Sequence, residues 1–240
     1  MSGAIVRLDQ VRFAWSRQAE PLLDIATLQI DAGESLFLHG PSGCGKSTLL
    51  SLMAGVLTAS SGSVTVCGKD WKALGEAARD RHRADHVGYI FQQFNLLPYL
   101  SVLDNVLLPC RFSKLRRAHA ERDSGDIRHD AGRWLRGMGL PEPMWQRAAR
   151  ELSVGQQQRV AAARALIGKP ALVIADEPTS ALDEGRQNSF LDLLQQACHA
   201  ADSALILVSH DQRIASRFDR NASLPELNHA YVPAADTAQA

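Results

Sequence analysis

From Val11 the apolar residues Val11, Phe13 and Trp15 alternate with Arg12 and Ala14, a period of two that predicts a strand with one buried face. Two short apolar runs follow. Residues 28–30 enter the turn Asp31, Ala32, Gly33, and residues 36–38 lead straight into a glycine-rich stretch. Beyond it, 48–53 is helix-like, Ser61, Gly62 and Ser63 mark a turn, and Val64, Val66 and Cys67 predict a strand before Gly68. Residues 71–86 are charged and helix-compatible, and 87–91 form a compact apolar strand closed by Gln92.

The character changes over 94–150, where amphipathic stretches rich in Leu and Arg are broken by Pro98, Pro109, Ser124, Gly125, Gly139 and Pro141. This predicts an inserted helical subdomain. Alternation then resumes as helix 156–166, buried strand 171–175, helix 189–199 and strand 204–208, which implies a parallel sheet covered by helices. After Arg220 the pattern weakens, and 232–240 is expected to be a flexible tail. The expected fold is α/β. It has a mainly parallel core (1–93 and 151–231), an N-terminal antiparallel β subdomain and an α-helical insertion (94–150), all in one domain, 1–231.

Composition narrows the picture. The 240 residues include 26 basic and 26 acidic ones, which argues against a nucleic-acid binder held by a broad basic field, so no nucleic-acid partner is expected. The run Arg111, Lys114, Arg116, Arg117, then Glu121, Arg122, Asp123, reads as a solvated helix face. Cys44, Cys67, Cys110 and Cys198 are too widely spaced for a metal pattern and read as reduced thiols. Residues 1–9 show no signal-peptide pattern, and no apolar run approaches the ~20 residues of a membrane span, so work at a membrane would need another chain to supply the span.

The glycine-rich stretch is Gly40, Pro41, Ser42, Gly43, Cys44, Gly45, Lys46, Ser47, Thr48, a complete G-x-x-x-x-G-K-[ST] phosphate loop between a strand and a helix. Its backbone N–H groups and the helix N-terminus suit an anion, with Lys46 reaching β- and γ-phosphates and Ser47 completing a Mg²⁺ shell. Thr48 caps or packs. The apolar strand 171–175 ends in Asp176 and Glu177, placed to hold Mg²⁺ and to orient the attacking water respectively. His210 and Gln92 follow other strands, the first suited to a γ-phosphate hydrogen bond and the second to sensing Mg²⁺ and water. Ser153 and Gln156 form an S-x-x-Q capping box, and the small residue Gly155 between them leaves room for a second anion at that helix end. Two such helix ends and one Lys-bearing loop suggest a dimer sharing its nucleotides.

Taken together, Gly40 to Thr48, Gln92, Leu152 to Gln156, Ala171 to Glu177, the segment Ser180, Ala181, Leu182, Asp183, and His210 resemble the ATP-binding cassette family, a set of P-loop NTPases. In order they look like its phosphate loop, Q-loop, signature, Walker B, D-loop and H-switch. The resemblance implies an ATPase using ATP and Mg²⁺. It also implies a head-to-tail homodimer in which Ser153 and Gly155 close on the γ-phosphate of the partner's ATP, Asp183 lies by the shared nucleotide, and Trp15 stacks on adenine. The chain is expected at the cytoplasmic face of the inner membrane, bound to an integral-membrane permease near Gln92 and the patch Leu96, Leu97, Pro98, Tyr99, Leu100. Residues 91–106 are similar to the lipoprotein-release, macrolide-export and FtsE-like branch. Polar amino-acid importers share a similar Q-loop, and a soluble cassette or a mechanical signalling module remain alternatives. Two departures stand out: Val154 replaces the usual glycine of the signature, and 220–228 lacks the usual Asp-Gly turn and final strand.

Overall fold

The computed structural model describes residues 3–16, 18–180 and 182–232. Buried Val6, Leu8, Val11 and Phe13 give β1 (Ala4–Phe13) its apolar face, and it pairs antiparallel with β2 (Leu23–Asp31), Val6 opposite Ile30 and Phe13 opposite Leu23. A tight turn leads to β3 (Ser35–His39), the phosphate-loop segment and α1 (Lys46–Met53). Next come β4 (Ser61–Val66) and β5 (Lys69–Asp70), which complete an antiparallel sheet in the order β2-β1-β4-β5. Ser61, Gly62 and Ser63, expected as a turn, belong to β4 instead. A register shift between Asp9 and Arg12 of β1 absorbs the irregularity opposite Gly62.

The chain continues through α2 (Glu76–His86) and β6 (Val87–Ile90) to three helices, α3 (Val102–Phe112), α4 (Lys114–Ser124) and α5 (Ile127–Gly137). Each is started by a side-chain cap, Ser101, Ser113 and Asp126 respectively, and Gly125 ends α4 in the left-handed conformation. Pro109 does not break the chain as expected. It sits inside α3, near the end, where Ser113 N–H still donates to its carbonyl (2.9 Å) and closes the last turn. Arg116 also departs from the solvated face expected of its charge run. Its guanidinium is buried and donates to the carbonyls of Ala165 (2.6 Å), Ile167 (2.8 Å) and Arg164 (3.3 Å).

The remaining elements are α6 (Val154–Leu166), β7 (Leu172–Asp176), α7 (Glu184–Ala201), β8 (Ala204–Val208), β9 (Arg220–Ser223) and α8 (Leu224–Leu227). Five strands form an all-parallel sheet in the order β6-β7-β8-β3-β9. Its central strands are buried on both faces and therefore continuously apolar. Val173 and Ala175 point into a core shared with α3, α5, α6 and α7, while Leu172 and Ile174 point into a second core under the antiparallel sheet. The strand expected to be missing from 220–228 is present as β9, paired with β3 from Leu36–Arg220 to His39–Ser223. Because all five strands run the same way, the residues that follow β3, β6, β7 and β8 emerge at one edge. No helix among the described residues is long and apolar enough to cross a membrane. Ala181 and residues 233–240 of the expected tail lie outside the described residues.

Candidate nucleotide site

The phosphate-loop segment leaves β3 at Gly40, whose φ is 156°, and enters α1 at Gly45, whose φ is 102°. A β-carbon on Gly40 would lie 2.8 Å from Cys44 Sγ and 2.9 Å from Pro225 Cδ, and one on Gly45 would lie 2.8 Å from Leu23 Cδ2, so both positions need glycine for conformation and for room. Gly45 caps α1 without a side chain, which leaves the first-turn N–H groups directed at whatever occupies the loop. Lys46 Nζ folds back over the loop and donates to the carbonyls of Gly40 (2.8 Å) and Pro41 (3.0 Å). Pro41, Ser42, Gly43 and Ser47 are exposed, Cys44 is buried beneath the loop, and Thr48 is half-buried in the first helical turn. A concave backbone with an uncapped helix end and one ammonium fits the phosphates of a nucleotide.

At the same sheet edge Asp176 ends β7. Burial, and then the adjacent Glu177 charge, push its carboxyl above the usual carboxylate range, opposed by a hydrogen bond from Ser47 and by Lys46. Ser47 and Asp176 thus present a hydroxyl and a carboxylate side by side. Glu177 follows with φ at 45°, a conformation costly for a side-chain-bearing residue, held by its N–H donating to Val208 O (3.0 Å). Its Oε2 lies 3.6 Å from His210 Nδ1, beyond β8. Gln92 is exposed on the turn after β6, whose Ile90 pairs with Ala175 of β7.

Ser153, Gly155 and Gln156 occupy a different place. Ser153 N–H donates to Gln156 Oε1 (3.0 Å) and Gln156 N–H to Ser153 Oγ (3.4 Å), the reciprocal cap that starts α6. Nothing lies within 4 Å of a β-carbon built on Gly155. These residues line a cavity of ≈ 830 Å³ that includes Leu182 and Arg186 and none of residues 40–48. Within one chain, then, residues 40–48 and the start of α6 do not share a cavity. Asp183 caps α7 by accepting from Arg186 N–H (3.0 Å), and Gln158 Nε2 donates to Pro178 O (2.8 Å), tying α6 to the turn after Glu177. Trp15 lies past the end of β1, exposed and edge-on to Phe13 with ring centroids 5.2 Å apart.

Two contacts had no signal in the pattern of residues. Arg164 of α6 donates to Asn95 O (2.7 Å) and Phe94 O (2.5 Å), just after Gln92, where both backbones have positive φ. A groove of ≈ 360 Å³ between α2, β6, α3 and α6 carries exposed Val56, Phe91 and Phe112 at its rim. Their apolar character was lost among core-forming residues, because burial of single positions is invisible in a period.

A protein-family model described as ABC transporter matches residues 23–180. The lipoprotein-releasing system ATP-binding protein LolD of Hydrogenovibrio crunogenus is 37% identical over 213 residues, covering 89% of each chain. The uncharacterized ABC transporter ATP-binding protein YbbA of Escherichia coli K12 is 41% identical over 206 residues, covering 85% of this chain and 87% of that one. Among solved structures, the ATP-binding cassette MJ0796, a dimer in a post-hydrolysis state bound to ADP and Pi, superposes with a TM-score of 0.79 at 32% identity, covering 95% and 97% of the two chains.

Proposed function

This chain belongs to the ABC transporter family, and from that premise we propose that it is the ATP-hydrolysing subunit of a membrane complex. The complex would drive lipoprotein extraction, export or mechanical transmission through a separate permease. The observation that carries the reading is the split between two half-sites: Lys46, Ser47, Asp176, Glu177 and His210 gather at one sheet edge, while Ser153 and Gly155 stand open elsewhere. In this reading a second copy placed head to tail brings the two halves together over the nucleotide.

In that dimer the loop N–H groups and Lys46 hold the β- and γ-phosphates of ATP, and the partner copy's signature helix end meets the γ-phosphate. Glu177 orients a water for in-line attack and takes up its proton, and His210, within 3.6 Å of that carboxylate, donates to a γ-phosphate oxygen. Ser47 and Asp176 would hold Mg²⁺, which when bound neutralises phosphate charge. Gln92 senses that end of the site, Asp183 lies at the dimer face, and Trp15 offers an exposed indole to adenine. Hydrolysis then removes the γ-phosphate that joined the two copies, and the dimer opens.

The permease contact belongs in the groove rimmed by Val56 (58% exposed), Phe91 (39%) and Phe112 (73%), an apolar patch unusual on a solvated surface. The proposed contact also takes in exposed Gln92 and, in the 96–100 patch, Tyr99 (70% exposed), while Leu96 packs on the core and Asn105 holds the backbone of Leu97 and Leu100. Such a contact puts the chain at the cytoplasmic face of the inner membrane. Relatives named for lipoprotein release support that cargo class over a polar amino-acid importer. The test is affinity capture from native membranes with Glu177→Gln and ATP. A few-span permease with a large external domain is the expected partner. A many-span permease with a solute-binding protein would replace the reading with import, and recovery of no membrane protein would replace it with a soluble ATPase.

A further inference from the structure

We infer that the C-terminal segment 220–231 is a clip that sets the conformation of the phosphate loop, with Asn228 as a positioning residue for nucleotide binding. The inference rests on the reading of residues 40–48 as the phosphate loop, and it concerns the stretch that departs most from the resemblance. The segment reaches the loop from two sides. On the first, β9 pairs with β3 up to Ser223 opposite His39, the residue before Gly40. The chain then turns into α8, whose Pro225 Cδ lies 2.9 Å from where a β-carbon on Gly40 would be. Leu224 beside it is fully buried in the core beneath the antiparallel sheet. His39, Gly40, Pro41, His210, Ser223 and Pro225 all line one cavity of ≈ 350 Å³, so the clip forms part of the wall next to the catalytic edge.

On the second side, Asn228 is 2% exposed and turns its amide toward the start of β2 and its own segment. Its Oδ1 accepts from Asp24 N–H (2.8 Å) and Ala230 N–H (3.2 Å), and its Nδ2 donates to Leu22 O (2.9 Å). His229 N–H adds a bond to Asp24 O (2.8 Å). These bonds fix the backbone of Leu22 and Asp24 and so bracket Leu23, and the side chains of Leu22 and Leu23 face Gly45: a β-carbon there would meet Leu23 Cδ2 at 2.8 Å and Leu22 Cγ at 3.7 Å. Gly40 and Gly45 are the two ends of the loop, and each is backed by an element that the clip holds. An anion cradle made of backbone N–H groups works only if its curvature is set before the ligand arrives, since otherwise ordering the loop subtracts from the binding energy. None of the clip residues that do this, Pro225, Asn228 and His229, is part of the phosphate-binding or catalytic set, which makes their effect indirect.

The test compares the full chain with Asn228→Ala and Pro225→Ala, using ADP binding by calorimetry, steady-state ATP turnover, and amide exchange over 38–48 and 222–230. Lys46→Ala is the control for the phosphate-loop reading. Asn228→Ala is expected to weaken ADP binding about 5- to 10-fold, to raise KM for ATP with kcat at saturation within about twofold, and to speed exchange over the loop. Pro225→Ala should do the same to a smaller degree. In the unaltered chain ADP should slow exchange of the Asn228 and His229 amides, a readout that does not depend on any variant folding. Unchanged ADP affinity in a folded Asn228→Ala, or exchange over 222–230 that ADP leaves untouched, would overturn the clip. ADP binding that survives Lys46→Ala undiminished would overturn the phosphate-loop reading instead.

Discussion

Among single residues, Arg116 shows how burial changes what a charge does. It sits in α4, yet its guanidinium takes the last carbonyls of α6 and the carbonyl of Ile167, groups that a helix end leaves without partners of its own. Burial lowers its pKa to about 10, still far above physiological pH, so it remains an ion there. Arg116→Gln removes most of these donors in a dry place and should cost about 3 kcal/mol in urea unfolding, most of it from carbonyls left unpaired. A variant within ~0.5 kcal/mol of the parent would mean that water replaces the guanidinium. Under the proposed function Glu177 is the opposite case, a residue with a strained backbone and an imidazole neighbour at 3.6 Å that serves chemistry rather than folding. Glu177→Gln keeps the shape and loses the base, so steady-state ATP turnover should fall by at least about 100-fold while ATP binding is retained.

At the level of elements, α2 carries a pH dependence. His82 Nε2 donates to Val66 O (2.8 Å), and its ring lies 4.4 Å from that of His86. Burial first, then the nearby His82, hold the pKa of His86 below its ordinary 6.5 although Asp85 pulls the other way. The unfolded chain therefore binds a proton on His86 at a pH where the folded chain does not. Its contribution to stability is complete above 6.5 and is lost as pH falls below that value toward the folded one. Urea midpoints should drop as the pH falls below about 6.5, and His86→Gln should flatten that part of the curve; a parallel curve for the variant would rule His86 out. Elements of this kind were legible where one local rule decided them: alternation wrote β1, unbroken apolar runs wrote β7 and β8, and the Ser153–Gln156 spacing wrote the start of α6. They were not legible where a distant contact decided. Pro109 stays helical because Ser113 closes its turn, and β9 exists because β3 offers it an edge, although Arg220, Asn221 and Ser223 have no strand-like period. The candidate site divides in the same way. Its contiguous motifs were readable, whereas the grip of Arg164 on Asn95 and of Asn228 on Leu22 spans 69 and 206 residues and leaves no local trace.

Across the whole molecule the separation of the two half-sites has a direct consequence, because neither Gly155 nor Val154 has any work to do within the single chain. Val154 is half exposed where the family most often has glycine, and space around Gly155 is open, so α6 presents an uncovered start held by its own capping box. A β-carbon at 155 would meet nothing within 4 Å, and the variant Gly155→Asp should fold with the parent's urea stability to within ~0.5 kcal/mol. Its carboxylate would nonetheless face the γ-phosphate of a partner's ATP, where two like charges in a closing interface cost several kcal/mol. Light scattering coupled to size-exclusion chromatography separates the outcomes. Glu177→Gln with ATP should run as a dimer, and Glu177→Gln combined with Gly155→Asp should run as a monomer, with ADP affinity the same in both because residues 40–48, the proposed phosphate loop, lie outside the cavity lined by Gly155. Persistence of the ATP-dependent dimer in the double variant would mean that the start of α6 does not meet the partner's nucleotide, and the two copies would have to associate through another face.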